Sequence, residues 1–228
     1  GVAITAVDFD HEQYLGHTLV EIATEKAGVI KPRSVVVLED NAPEVEAVVA
    51  ARCAEVGATL VRARDATTFD ATMMEGQAHL TGRTPAGNYD DLRLGLRGRH
   101  QVTNALTALR LLESLTAFDV GPAARRAALE DVVWPARLEL TRVNHAAVLI
   151  DGAHNPAGAR ALSAYIAETY GRPLPMVVGI MRDKQIDAMI AAFATSASAF
   201  VFTAPTSTRA ASPGELAEVS ARIAPRVP

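Results

Sequence analysis

The amino-acid sequence predicts an α/β chain built as two successive units. Three observations carry this. Short β-branched runs alternate with stretches of helical apolar spacing, the order of parallel strands joined by helices. The alternation is interrupted by a polar, Gly- and Thr-rich stretch from Phe69 to Arg99, and it breaks at Trp134-Pro135. Beyond that break three strand–helix pairs follow one another within about 90 residues, enough for a small domain with its own core. The expected units are residues 1–135 and 136–228.

Each element has a local reason. Val2 to Val7 is an apolar strand, followed by the polar loop Asp8-Phe9-Asp10-His11. Thr18 and Glu21 form a capping-box pattern and Gly28 is a natural stop, which predicts a helix over 19–27. Val35 to Leu38 is a short β-branched strand. Val45, Val48, Val49, Cys53 and Val56 then share a helical face, Gly57 ends that helix, and Thr59 to Arg64 is the next strand. This is a β-α-β unit. In the polar stretch, Pro85-Ala86-Gly87-Asn88 is a turn between two predicted strands. Val102, Ala105, Leu106, Leu109 and Leu112 line one face of a helix running to about Leu115, and Gly121-Pro122 opens another ending near Val133. In the second unit the strands are Ala146 to Ile150, Met176 to Ile180 and Ala199 to Thr203. The helices are 157–169, 186–194 and 215–223, giving a small Rossmann-like sheet.

Composition narrows the function classes. A chain of 228 residues, 49% apolar and 21% charged, has the make-up of a globular protein. Its single cysteine, Cys53, excludes an internal disulfide framework and a multi-cysteine zinc site, and its helical stripe makes it a core residue. No run of about 18 uncharged apolar residues is present, so no membrane partner is expected. The start GVAITAVDFDHE lacks the basic and apolar regions of a signal peptide, which makes the cytoplasm the expected location. A net charge of −4 argues against a nucleic-acid partner. Nineteen Arg against three Lys (Lys26, Lys31 and Lys184), with heavy use of Ala, reads as compositional bias.

The chemistry-bearing residues sit at element ends. Asp151-Gly152-Ala153-His154-Asn155-Pro156 follows a strand directly and opens a helix, with Asn155 as N-cap and Pro156 in the first helical position. That places Asp151 and His154 where open α/β sheets bind ligands, although both could instead cap loop amides. His11 lies just past a strand end. Lys26 shares a helical face with Leu19, Ile22 and Ala23. It is either a snorkelling cation at a helix C-terminus or a desolvated amine of lowered pKa. Asn104 follows Arg99-His100-Gln101 in the first turn of its helix, where position favours capping over ligand contact. Arg137, after Trp134-Pro135-Ala136, reads by itself as a solvated linker residue.

Taken in order, DFDHEQYLG, EIATEKAGVIKP, LRGRHQVTNALTALRLLE, WPARLE with DGAHNPAGARAL, and GIMRDKQ followed by TAPTSTRAASPGELA resemble the folylpolyglutamate synthase/dihydrofolate synthase family of the Mur-ligase superfamily. The resemblance covers nearly the whole chain. It implies that 1–135 is the C-terminal part of a Mur-type ATP-binding domain and 136–228 a smaller Rossmann-like C-terminal ligase domain. It implies an ATP- and Mg²⁺-dependent ligase that joins L-glutamate to dihydropteroate or a folate through an acyl phosphate. It further implies small-molecule partners and a monomer. Such a reaction needs its clustered negative charge neutralised by cationic donors and metal. Motif by motif, His11 resembles a Mg²⁺ ligand and Lys26 a carbamylated lysine that also serves the metal. Asn104 resembles an ATP-contacting asparagine, and Arg137 an arginine reaching the phosphates. Asp151 resembles an aspartate of the ATP site, with His154 beside it as a catalytic candidate.

Two departures stand out. Ala136 occupies a position where the family commonly has Gly, and no lysine here follows a glycine, so a Gly-Lys-Ser/Thr phosphate loop is absent. The chain is therefore expected to be the downstream part of a longer enzyme. Alternatives are another Mur-type amino-acid ligase, or a non-catalytic nucleotide-binding domain without that loop. Because the loop's amides and lysine cradle the phosphates, the 228-residue chain alone is expected to release no ADP in response to glutamate. Measurable glutamate-dependent release from the isolated chain would overturn this.

Overall fold

A computed structural model describes residues 1–10, 12–118 and 120–228. The chain divides into two compact units, Gly1–Pro135 and Ala136–Pro228. The first begins with β1 (Val2–Ile4), α1 (Glu12–Leu15), α2 (Leu19–Ala27), β2 (Val35–Leu38), α3 (Pro43–Val56) and β3 (Thr59–Arg62). The three strands form a parallel sheet in the order β1-β2-β3, with Val2 opposite Val36 and Val36 opposite Leu60. Helix α2 has the bounds expected from sequence, and both halves of its capping box are made. Gly57 ends α3 at φ 65°, a left-handed conformation that glycine enters without a Cβ penalty. Ile22, Ala23 and Ala27 of α2 pack with Val45, Val49 and Cys53 of α3 around Val36 and Leu38. Each fully buried aliphatic side chain of this kind contributes about 1.5–3 kcal/mol.

The polar stretch folds as three antiparallel strands, not two: β4 (Thr68–Met74), β5 (Gln77–Thr84) and β6 (Gly87–Arg97). The unanticipated hairpin turns at Glu75-Gly76, both at positive φ. That is a primed turn whose twist suits a hairpin, but Glu-Gly is a weaker sequence signal than Asn-Gly. Helix α4 (His100–Ser114) packs on β1, β2 and β6, and α5 (Pro122–Glu130) packs on β6. Leu106 of α4 meets Val37 and Ala63 beside the parallel sheet, while Leu109 joins Leu80, Leu92 and Leu94 of the antiparallel one. One helix thus seals two apolar clusters.

A buried carboxylate fastens this arrangement. Glu113 of α4, with a side chain 2% exposed, accepts from Thr84 Oγ1 at 2.6 Å, Tyr89 Oη at 3.0 Å and Arg110 Nη1 at 3.0 Å. Arg125 of α5 lies 3.7 Å away. The four partners come from β5, β6, α4 and α5, so the network joins every element around it.

The second unit contains β7 (Glu139–Val143), β8 (Ala146–Ile150), α6 (Pro156–Tyr170), β9 (Leu174–Val178), α7 (Ile186–Ala194), β10 (Ala197–Phe202) and α8 (Pro213–Ile223). Strands β9 and β10 are parallel. Strand β7 is absent from the sequence expectation; it pairs antiparallel with β8 through Asn144-His145, another turn with both φ positive. Among the described residues β8 is hydrogen-bonded to β7 and not to the parallel pair. Leu138, Tyr165, Ile166, Met189, Ile190, Phe193 and Leu216 close this unit's core. Met189, Ile190 and Phe193 are the buried residues of α7. No helix among the described residues is long and apolar enough to cross a membrane.

One buried acid has a measurable signature. Glu39 follows β2, is 8% exposed, and its Oε2 has no hydrogen-bond partner. Burial raises its pKa above the usual carboxylate value and neighbouring Asp40 adds to this, while Thr103, the Ala6 backbone and Arg64 work against it. The folded state therefore binds the proton more tightly than the unfolded chain. Its contribution to stability is fullest below about pH 4.5 and is lost as pH rises through the raised folded pKa. Glu39→Gln should accordingly melt higher than the parent at pH 7, each kcal/mol gained adding roughly 2–4 °C. The difference should shrink toward pH 4 in parallel thermal melts; a difference constant with pH would refute the assignment.

Candidate functional site

In the second unit the residues at the start of the domain and those after β8 are bound to each other. Asp151, directly after β8, accepts from Leu138 N at 3.0 Å through Oδ2 and from Ala153 N at 2.9 Å through Oδ1. Gly152 N donates to Ala136 O at 2.8 Å, and Ala136 N donates to Glu139 Oε2 at 3.0 Å. The turn so held is strained: Ala136 has φ 55° and Leu138 φ 49°. Left-handed residues other than glycine cost about 1–2 kcal/mol each, and they persist where surrounding contacts over-determine them. Burial of the Leu138 side chain at 1% exposure is one such contact.

The residue between the two strained positions is Arg137. It is half-buried, and among the described residues no carboxylate stands in ion-pair range of it. A Cβ on Gly152 would lie 3.0 Å from Arg137 Nη1 and 3.3 Å from Ala136 O, so a side chain there would displace the guanidinium or the turn. His154 Nδ1 lies 2.9 Å from the Gly152 carbonyl, and since a carbonyl only accepts, that ring nitrogen carries the hydrogen. Asn155 caps α6 by accepting from Gly158 N at 2.8 Å, as expected of it. Asp151, Gly152, His154 and Arg137 thus form one cluster, and its chemistry is that of an anion site: a positioned cation, with a helix N-terminus opening beside it.

The loop after β9 is braced to helix α8 and to the loop after β10. Arg182 donates to both oxygens of Glu215, at 3.2 and 2.9 Å, and Arg209 to both oxygens of Asp183, at 2.9 and 3.0 Å. The Arg182 pair, with the Ser212 cap bonds, holds the Glu215 carboxyl down at about 2.

In the first unit Asn104 lies on α4, whose N-cap position is Arg99. Asn104 is exposed and does not cap; its Nδ2 donates to Gln101 Oε1 at 3.0 Å. Sequence position alone favoured capping, but the helix begins at His100, so Asn104 is already past the orphan amides. Gln101 was passed over in the sequence, although its i,i+3 spacing from Asn104 is a recognisable pairing signal.

Of the two readings of Lys26, a snorkelling helix-end cation and a desolvated amine, its exposure agrees with the first. The shared face with Ile22 and Ala23 suggested a poorly solvated amine, yet Lys26 is exposed while Ile22, Ala23 and Ala27 are buried. The reason is reach: a four-carbon stem lets the charged end meet solvent even from a position beside the apolar face. His11 lies outside the described residues. Among the described residues no three His, Cys, Asp or Glu side chains converge, so these residues by themselves do not make a Mg²⁺ cage.

Comparison with known proteins places this geometry. Residues 136–226 match the family model described as "Mur ligase, glutamate ligase domain". Folylpolyglutamate synthase of Lacticaseibacillus casei is 34% identical over 200 residues, 84% of this chain and 46% of that protein. Dihydrofolate synthase/folylpolyglutamate synthase of Mycobacterium tuberculosis is 35% identical over 207 residues, 83% of this chain and 41% of that protein. The solved structure of Mycobacterium tuberculosis folylpolyglutamate synthase complexed with ADP superposes with a TM-score of 0.89 at 32% identity, over 97% of this chain and 51% of that one. The chain spans somewhat less than half the length of the curated relatives named here. Matched along both units at these identities, the chain belongs to the folylpolyglutamate synthase/dihydrofolate synthase family of Mur-type ligases.

Proposed function

We propose that this chain supplies nucleotide- and phosphate-contacting residues of an ATP-dependent ligase that adds L-glutamate to dihydropteroate or a folate. The observation that carries the reading is the Arg137 turn: a half-buried cation with no carboxylate partner among the described residues, set between two strained residues and tied to the loop after β8. An enzyme has reason to keep such a cation where negative charge must be offset in the reacting state. ATP supplies the activated phosphoryl group that turns the acceptor carboxylate into an acyl phosphate. By the resemblance, Arg137 would serve the phosphates and Asn104 would be an ATP contact, while Asp151 would fix the turn that carries Arg137. His154 stays a catalytic candidate by its place in the same loop. A cytoplasmic, monomeric enzyme with small-molecule partners fits this reading.

The direct test assays the gene product that carries this chain with MgATP, dihydropteroate or folate, and radiolabelled glutamate. Label transferred to the pterin-bearing product supports the reading; ATP binding without transfer refutes it. Within that assay Arg137→Ala should lower turnover by about 10²–10³-fold at an unchanged melting temperature. Asp151→Asn should behave differently. One of its two backbone donors would face an amide N–H, so the turn loosens, and both Tm and turnover should fall, with a loss of about 1–3 kcal/mol in stability. Normal turnover in Arg137→Ala would make Arg137 a linker residue.

Lys26 enters on the resemblance alone. Carbamylation joins its neutral amine to carbon dioxide and releases one proton, exchanging a cation for an anionic oxygen ligand suited to Mg²⁺ alongside His11. Lys26→Ala should abolish activity and added acetate should partly restore it. Full activity at limiting Mg²⁺ would leave Lys26 a solvated helix-end cation.

A further inference from the structure

The turn that carries Arg137 is held one peptide group at a time. Ala136 N donates to Glu139 Oε2 at 3.0 Å, Ala136 O accepts from Gly152 N at 2.8 Å, and Leu138 N donates to Asp151 Oδ2 at 3.0 Å. The Gly152 and Asp151 partners come from the loop after β8 and bracket Arg137. The remaining partner is Glu139, the first residue of β7, whose backbone is held in register with Ile150. Its exposed side chain reaches back three residues to the peptide group that enters the turn.

That bond acts where the backbone is strained. The Glu139 and Gly152 bonds hold the peptide groups on either side of Ala136, and together they fix its φ of 55°. An alanine left to itself returns to negative φ, because its Cβ crowds the backbone in the left-handed region. A main-chain N–H donating to a carboxylate is worth about as much as one left-handed residue costs, so the bond decides the balance. Without it the entering peptide group is released, and rotation about the Ala136 N–Cα bond relieves the strain. The Arg137 turn is then no longer held in one geometry. We infer that Glu139 is a positioning residue for Arg137, tethering Ala136 in the left-handed conformation that sets the turn. The inference rests on Arg137 serving the reacting phosphates, as proposed above, and adds a residue that acts only through the turn.

The test measures kcat, the KM for ATP and Tm on the gene product carrying this chain. Glu139→Ala should lower kcat by roughly 10–100-fold, as for a group misplaced by about 1 Å, and leave the KM for ATP nearly unchanged. Glu139→Gln keeps a side-chain oxygen at the same reach and should recover most of that loss. Glu139→Val, suited to a strand but without an acceptor, carries the expectation of Glu139→Ala should the latter fail to fold. Strain supplies a sharper arm. Glycine enters the left-handed region without a Cβ penalty, so adding Ala136→Gly to Glu139→Ala should restore much of the lost turnover. In an Arg137→Ala background, Glu139→Ala should cost no further turnover while still lowering Tm, since the residue it places is already gone. A merely structural Glu139 would lower Tm with kcat intact, or lower kcat equally in both backgrounds, and either result overturns the proposal. So does a Glu139→Gln as slow as Glu139→Ala, or a Glu139→Ala that Ala136→Gly leaves unimproved. If Arg137→Ala itself keeps normal turnover, the phosphate reading falls and this proposal with it. If Arg137→Ala is slow and Glu139→Ala is not, the positioning role alone falls.

Discussion

The first unit depends on a carboxylate that cannot reach water. Glu113 is held among two hydroxyls and two guanidinium groups from β5, β6, α4 and α5. A carboxylate in that position is tolerated because its partners are already in place, and removing one would weaken the compensation of a group that water cannot reach. The network fixes the antiparallel sheet against α4, and α4 in turn covers the parallel sheet through Leu106. The position of the His100–Gln101–Asn104 end of that helix follows from packing some three turns away. The exposed amide of Asn104 is thus borne on an element held by packing.

The second unit solves a related problem with backbone. Arg137 is placed by two left-handed residues and by amides that donate to Asp151 and Glu139 or accept Gly152 N–H at the Ala136 carbonyl. The carboxylate of Asp151 spends each oxygen on a main-chain N–H, one in its own loop and one in the Arg137 turn. Asp151 thus has structural work in this turn. The commonly glycine position in the family falls at Ala136, where φ is 55°, which gives a steric reason for glycine there and a cost to this chain for lacking it.

Legibility in the sequence followed the range of the forces. Helices α2 and α7 and strand β2 match expectation in their bounds because caps, periodicity and β-branching act within a few residues. Strands β4 to β6 and β7 were harder. Their turns, Glu75-Gly76 and Asn144-His145, place non-glycine residues at positive φ, a conformation that neither dipeptide announces strongly. The candidate residues Asp151, Arg137, Asn104 and His154 were picked one at a time, from positions read as lying at or near element ends. Their relations were not legible. The Asp151–Leu138 bond spans 13 residues across a hairpin that the sequence reading lacked. Lys26 shows the opposite failure: periodicity placed its Cα on the apolar side, but side-chain length decided where its charge resides.

Cys53 has a consequence for how the molecule can be watched. It is the chain's single thiol, buried at 3% exposure on α3 beneath the parallel sheet, and burial raises its pKa further. A thiol reagent reacts with the exposed thiolate, so in the native state it meets nothing to attack. Labelling then proceeds only through openings that lift α3 from its sheet, and its rate reports the free energy of that local opening. The fold carries a chemical clock for one element of its first unit.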